Sequence, residues 1–203
     1  MAAELTSEEI RLIQAGIRRK YVQVATADMA CCFRFPVGLE GLRLQNYPLE
    51  LCHDVPEAVL AGYCGVGNPF SLGPLKAGEA VLDIGCGAGV DSLVAALMVG
   101  PEGRVVGLDV TPEMVDRARN ALTPLGLGQL SFEVSDAESL PFPDQSFDAV
   151  ISNGVFNLVV HKDRALKEVY RVLRPGGRVM LADMLLVSPL PEDRAGRIEN
   201  WYQ

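Results

Sequence analysis

The stretch Val81-Leu82-Asp83-Ile84-Gly85-Cys86-Gly87-Ala88-Gly89 decides the fold. A short apolar run suited to a buried strand meets three glycines at alternate positions, and the apolar run after them reads as a helix. A strand that turns into a helix this sharply needs glycine where the backbone enters the left-handed region or lies against a ligand. The spacing is GxGxG. A dinucleotide fingerprint, GxGxxG, would put a third glycine at position 90, which is Val90. The leading carboxylate points the same way. A pyrophosphate gains nothing beside Asp83, whereas a phosphate-free ligand carrying an ammonium or a sulfonium does.

Outward from this curl the chain alternates strand and helix signals. Strands are predicted at Ala80–Ile84, Arg104–Asp109, Leu130–Val134, Phe147–Ser152 and Arg178–Asp183, as apolar runs of the kind shown by parallel strands covered on both faces. Helices are predicted at about 89–99, 112–123 and 162–173. Thr111 as N-cap, Pro112 in the first turn and Glu113 start the second, and Arg174-Pro175-Gly176-Gly177 stops the third. Leu166, Val169, Tyr170 and Leu173 are expected to form the buried face of that third helix. Repeated β-α-β units imply an α/β fold with a Rossmann-like, doubly wound, mostly parallel sheet.

Such sheets bind ligands at the carboxyl ends of their strands. Asp109 ends the second strand, roughly 20 residues past the curl, where an acid accepts hydrogen bonds from both ribose hydroxyls. Ser135-Asp136-Ala137-Glu138 follows the third strand, and Asp136 suits both an adenine amino group and a short helix start. Ile151-Ser152-Asn153-Gly154 closes the fourth.

Residues 1–76 read as a separate helical and irregular lid segment, and 77–203 as the ligand-binding domain, short at its C-terminal end. Thr6-Ser7-Glu8-Glu9 is a capping box. Ile10, Ile13, Ile17, Tyr21 and Val24 follow at helical spacing, which predicts a helix from about 7 to 28. The Gly- and Pro-rich stretch from Phe33 to Pro74 reads as mostly irregular, with a short helix near Pro56–Leu60, and is too long for a plain linker. A last helix is predicted from Pro191 through Trp201, which leaves five strands.

A formal charge of −8 argues against a nucleic-acid partner, which a basic face would serve. The triplet Arg18-Arg19-Lys20 reads as a solvated helix face. No basic-then-apolar leader and no apolar run near the roughly 20 residues of a membrane span is present, so no membrane partner is expected and the cytoplasm is the expected location. Five cysteines, an odd number without CxxC spacing, predict reduced thiols and no metal site.

Val81 to Gly89, Gly107-Leu108-Asp109-Val110-Thr111-Pro112-Glu113-Met114, Ala137-Glu138-Ser139-Leu140-Pro141-Phe142, Phe147-Asp148-Ala149-Val150-Ile151-Ser152-Asn153 and Arg171-Val172-Leu173-Arg174-Pro175-Gly176-Gly177-Arg178 together resemble the motif series of class I S-adenosylmethionine-dependent methyltransferases. The resemblance covers about residues 78–183. It implies S-adenosylmethionine as cofactor, S-adenosylhomocysteine as product and a small-molecule acceptor. The implied cofactor contacts are Asp83, Gly85, Cys86, Gly87, Gly89, Asp109, Val110, Met114, Asp136, Ala137 and Asn153, with Tyr21 as an aromatic cover. Cys86 is expected to pack as a small side chain and not to act as a nucleophile.

Within that class the sequence is similar to arsenite methyltransferases, through Gly67-Asn68-Pro69, Asp109 to Met114 and Ile151 to Leu158, and next to the ubiquinone/menaquinone-biosynthesis methyltransferases. It departs from the arsenite pattern where soft thiolates would bind the metalloid: Val66 and Gly154 stand at two of the cysteine positions. Three readings stay open: a methyltransferase for another small molecule, an S-adenosylmethionine-binding protein without turnover, and an arsenite enzyme using a different set drawn from Cys31, Cys32 and Cys64. A nicotinamide-dependent oxidoreductase is disfavoured by Val90 and Asp83.

A sulfonium leaves as a neutral thioether, so no acid is needed. A base is needed only for a protonated acceptor, and His53, His161 and Asp183 are the candidates, with none assigned as catalytic. Class I enzymes commonly add an antiparallel pair beside the fifth strand. No residues for it are found after Asp183, and two readings stay open: a fragment with an intact cofactor site and an incomplete acceptor site, or a fifth-strand edge that pairs with a partner such as a second copy.

Overall fold

The computed structural model describes residues 5–26, 32–185, 198 and 201. Among these, five strands form one sheet: β1 (Ala80–Ile84), β2 (Arg104–Asp109), β3 (Leu130–Val134), β4 (Phe147–Asn153) and β5 (Leu173–Ala182). The spatial order is β3-β2-β1-β4-β5, and every pairing is parallel. The chain winds outward from β1 through β2 to β3, then returns to the other side of β1 for β4 and β5. That reversal opens a crevice beyond the carboxyl ends of β1 and β4, where open α/β sheets bind ligands. The fold class is the one expected.

All five residues of β1 are buried, as are five of six in β2, so continuous apolar runs mark strands covered on both faces. Helices α4 (Val90–Val99) and α5 (Pro112–Leu122) cross over from β1 and β2, and α6 (Lys162–Val172) precedes β5. Two apolar clusters lie on opposite faces of the sheet. One holds Leu93, Val94, Val105 and Ile151; the other holds Leu82, Leu108, Phe147 and Val169.

The N-terminal helix α1 (Ser7–Thr26) begins on its capping box: the Thr6 N–H and hydroxyl both donate to Glu9 Oε2 at 2.7 Å, and the Glu9 N–H donates back to Thr6 Oγ1 at 3.3 Å. Ile13 and Val24 are its fully buried apolar residues; Arg18 and Arg19 face solvent as expected, but Lys20 of the same triplet is half-buried, its Nζ 5.4 Å from the centre of the Phe33 ring. Arg117 of α5 donates to the Val24 carbonyl at 2.8 Å and fastens the end of α1 across the crevice.

Several expectations are corrected. The stretch from Phe33 to Pro74 holds more helix than the one short element foreseen: α2 (Gly38–Leu44), α3 (Glu57–Leu60) and two 3₁₀ turns at Leu49–Cys52 and Pro69–Leu72. These elements are shorter than the window in which helical periodicity shows. The buried face of α6 is Ala165, Val169 and Val172; Leu166 and Tyr170 are 48 and 85% exposed. The helix runs into β5 without a linker, so the sheet sets its phase. Arg174-Pro175-Gly176-Gly177 accordingly lies inside β5, as a register shift opposite Phe147 and Ala149. Thr111 holds the N-cap position of α5, but its side chain makes no cap bond. The helix predicted from Pro191 falls outside the described residues, apart from Ile198 and Trp201. No helix among the described residues is long and apolar enough to cross a membrane.

Candidate active site

The curl between β1 and α4 has φ of +74° at Gly85, +54° at Gly87 and +84° at Gly89, so all three glycines use conformations that side chains oppose. Its amides are spent inside the protein. Gly85 N–H and Cys86 N–H both donate to Leu108 O at 2.7 and 2.8 Å, Gly87 N–H donates to Asp109 Oδ2 at 3.0 Å, and Gly89 N–H donates to Cys86 O at 2.8 Å. A phosphate-binding loop turns such N–H groups toward its ligand. This one has committed three of them, at Gly85, Cys86 and Gly87, to the end of β2.

Three carboxylates lie buried around the curl: Asp83, Asp91 and Asp109 are 1, 9 and 8% exposed. Ser92 donates to Asp83 Oδ2 at 2.6 Å. Tyr47 donates to Asp91 Oδ1 at 2.5 Å, and Asn153 Nδ2 lies 3.1 Å from Asp91 Oδ2. Thr111 N–H donates to Asp109 Oδ1 at 2.8 Å, opposite the Gly87 bond. Among the described residues, none of these bonds comes from lysine, arginine or histidine.

Burial therefore dominates the acids' protonation. It raises Asp83 well above the usual carboxylate range, with the charges of Asp91 and Asp109 adding and Ser92 opposing. Burial raises Asp91 to about 6 against the Tyr47 and Asn153 hydrogen bonds, and raises Asp109 against the Thr111 and Gly87 amides. Such a pocket is short of positive charge and hostile to an anion.

Asp83 is sealed beneath the curl, where Ser92 is its hydrogen-bond partner. Asp109 holds the strand-end position expected of it, and Val110 beside it is exposed. Met114 of α5 packs over the curl, its Cε 3.3 Å from where a Cβ on Gly87 would stand. Asp136 is exposed and accepts the Glu138 N–H at 2.9 Å, a local turn, with Ala137 buried next to it. Cys86 is buried in the core and burial raises its thiol, in keeping with a packing role. Tyr21 is half-buried. Its hydroxyl is raised by burial first and then by the charges of Cys64, Asp109 and Asp183.

Asn153 does more than its strand-end position foretold. Its Oδ1 accepts the N–H groups of Val66 and Gly67 at 2.8 and 3.1 Å. Its Nδ2 shares its two protons among Gly67 O, the Tyr47 hydroxyl and Asp91. A Cβ on Gly65 would lie 2.2 Å from that nitrogen, so only glycine lets the bend at Val66 approach. Tyr63 donates to Gly67 O at 2.7 Å beneath it. Tyr47, Tyr63 and Asp91 were not foreseen. An acid in the first turn of α4 reads locally as a helix-dipole residue, and the two tyrosines sit in the segment read as irregular.

The base candidates lie on three different segments. His53 is exposed and pairs with Asp54 at 2.9 Å. His161 offers its N–H to Glu138 at 2.9 Å ahead of α6. Asp183 accepts the Asn157 N–H at 3.1 Å at the end of β5. Among the described cysteines, Cys52, Cys64 and Cys86 carry free thiols, and no cluster with metal-ligand geometry is found among the described residues.

Fold and site together define a class: a doubly wound domain whose crevice suits a cationic, phosphate-free nucleoside. Comparison with known proteins makes this specific. The model of a methyltransferase domain matches residues 75–202, and the chain belongs to that family, whose class I fold takes S-adenosylmethionine as cofactor. The chain is 36% identical to an arsenite methyltransferase of Halobacterium salinarum, over 95% of this chain and 52% of that one. It is 45% identical to a ubiquinone/menaquinone biosynthesis C-methyltransferase of Hahella chejuensis, over 54% of this chain and 44% of that one. Among solved structures, an arsenic(III) S-adenosylmethionine methyltransferase from Chlamydomonas reinhardtii superimposes with a TM-score of 0.61 at 37% identity, covering 75% of this chain and 51% of that one. A SAM-dependent methyltransferase from Aquifex aeolicus gives 0.54 at 30% identity, covering 61% and 69%. The chain thus spans about half the length of the curated relatives it matches.

Proposed function

We propose that this chain binds S-adenosylmethionine in the β1–β4 crevice and transfers its methyl group to a small-molecule acceptor. One observation carries the reading: the Gly85, Cys86 and Gly87 amides of the curl are tied to the end of β2, and the buried acids around it accept no bond from a basic side chain among the described residues. The cofactor, when bound, supplies an electrophilic methyl group on a sulfonium that departs as a neutral thioether. The chain's own residues do the rest. Asp109 accepts from the ribose hydroxyls while the Gly87 and Thr111 amides hold its carboxylate in place. Asp136 and the exposed Val110 serve the adenine. Asp83 and Asp91 compensate the positive charge from below the curl. Met114 and Tyr21 cover the nucleoside and exclude water, and with positioning this supplies the main rate advantage, roughly 7–11 kcal/mol for well-oriented reactants.

An arsenite acceptor is not favoured. Val66 and Gly154 meet, with Val66 Cγ1 3.2 Å from where a Gly154 Cβ would stand, so an apolar contact fills the place where the resemblance calls for two thiolates. Burial pushes the Cys64 thiol up to about 12, with Asp109 and Asp91 adding, and a thiol is a far poorer ligand for a soft centre than a thiolate.

A cytoplasmic location and the absence of a nucleic-acid partner belong to the same proposal, supported by the free thiols of Cys52, Cys64 and Cys86 and a net charge of −8. So does pairing of two copies along β5. Among the described residues that strand bonds only to β4, and Val179 is partly exposed on it. Mass-spectrometric detection of methylated product from a panel of acceptors tests the activity. Cofactor binding without any product would favour a binding protein over an enzyme.

A further inference from the structure

Resting on the methyl-transfer reading, we propose that a cavity of about 220 Å³ between α2, the bend at Val66 and the segment after β5 is the acceptor pocket, and that it takes a compact, uncharged molecule with an apolar body. Phe35, Pro36, Leu44, Val66 and Met184 supply its apolar lining, and Gln45 is its polar side chain. Gln45 Nε2 lies 3.5 Å from Val66 O, a weak contact that leaves the amide able to turn to a ligand.

Position ties this cavity to the chemistry. Val66 lines it and also packs on Gly154. The next residue, Val155, lies against Gly85 of the curl, its Cγ2 2.1 Å from where a Cβ on that glycine would stand. The path from curl to cavity is therefore Gly85, Val155, Gly154 and Val66, all at the carboxyl ends of β1 and β4. Met184 follows Asp183 just past β5, on the side of the crevice away from Asp109.

Charge separates the two compartments. Asp83, Asp91 and Asp109 attend the curl, and among the described residues no carboxylate lines the cavity, so its lining suits an uncharged molecule better than the cationic cofactor. Among the described residues its lining holds no cysteine for a soft metalloid and no charged side chain for an ionic acceptor. At about 220 Å³ it falls below the roughly 300–1,000 Å³ common for ligand pockets, which limits the acceptor to a small ring system or branched aliphatic body.

Two methionines report on the two compartments within one protein. Met114 sits over the curl and Met184 lines the cavity. The 203-residue chain, labelled with ¹³C at its methionine methyl groups, is titrated first with S-adenosylhomocysteine and then with 2-naphthol as a compact aromatic probe. The product nucleoside is expected to shift the Met114 resonance, and 2-naphthol to shift Met184 saturably. Leu44→Trp fills the cavity from a side chain that is 61% exposed, and Leu44→Asp places a charge in it. Each is expected to weaken 2-naphthol at least about tenfold while the Met114 response is retained, which also shows that the variant is folded. Failure of 2-naphthol to shift Met184, a shift at Met114 instead, or full affinity in both variants overturns the pocket assignment and leaves the cofactor reading standing. Failure of S-adenosylhomocysteine to move Met114 overturns the cofactor reading itself.

Discussion

At the amino ends of the strands, Arg178 donates to both oxygens of Glu79 at 2.7 Å and Arg174 donates to Asp148 at 2.6 Å. At the carboxyl ends of the same sheet, Asp83, Asp91 and Asp109 are more deeply buried and draw their hydrogen bonds from a serine, a tyrosine, an asparagine and backbone amides. The titration of the two sets diverges accordingly. Arg178 holds Glu79 below its ordinary range, and the Ala80 amide and Arg174 hold Asp148 low despite some burial, while burial pushes all three acids of the crevice upward. Acids with internal counter-charges stitch the sheet and gain nothing from a ligand. Acids buried without one cost stability that an incoming cation restores.

The largest expected effect comes from removing the latch that joins the two halves of the crevice. Asn153→Ala strips partners from the Val66 and Gly67 amides and from Asp91. It should lower stability on the order of 3 kcal/mol in urea denaturation. A loss under about 1 kcal/mol would mean that the N-terminal segment is held by apolar packing alone.

The pH dependence follows. Asp91 rises from 3.8 to about 6 on folding, so the ligand-free protein should lose stability as pH climbs through that interval, because the folded state then holds a proton the unfolded state gives up. Affinity for S-adenosylmethionine should rise over the same interval, since its positive charge favours the ionised acid. Thermal unfolding with and without cofactor measures both, and a flat profile would break the contrast between the two sets of acids.

Smaller again, Asp109→Ala should weaken S-adenosylmethionine binding by at least ~1 kcal/mol, about fivefold, by calorimetry. Unchanged affinity would remove Asp109 from the site. Smallest, Arg178→Ala should cost about 1 kcal/mol of stability or less, as befits a partly exposed pair, and leave cofactor affinity unaltered. A change in affinity there would show that the two ends of the sheet are not independent.

The features legible in the sequence are those written locally. The curl, the place of Asp109 at a strand end, four of the strands and the second half of β5 announce themselves within a few residues of apolar run, glycine or capping signal. The phase of α6 was misread because Leu166 and Tyr170 make a plausible stripe until the junction with β5 rotates the helix. The Tyr47–Asp91–Asn153 network was out of reach for a different reason. Its members are 44 and 106 residues apart in pairs, and nothing near any one of them marks the partner. Asp91 looks like an ordinary first-turn acid, and only the fold shows that Tyr47 and Asn153 surround it.

Calorimetric titration of the purified chain with S-adenosylmethionine, S-adenosylhomocysteine and NAD bears most directly on the carboxylate-lined curl. Saturable binding of both adenosyl compounds, with no heat from NAD, is the expected result. Binding of NAD without binding of S-adenosylmethionine would contradict it.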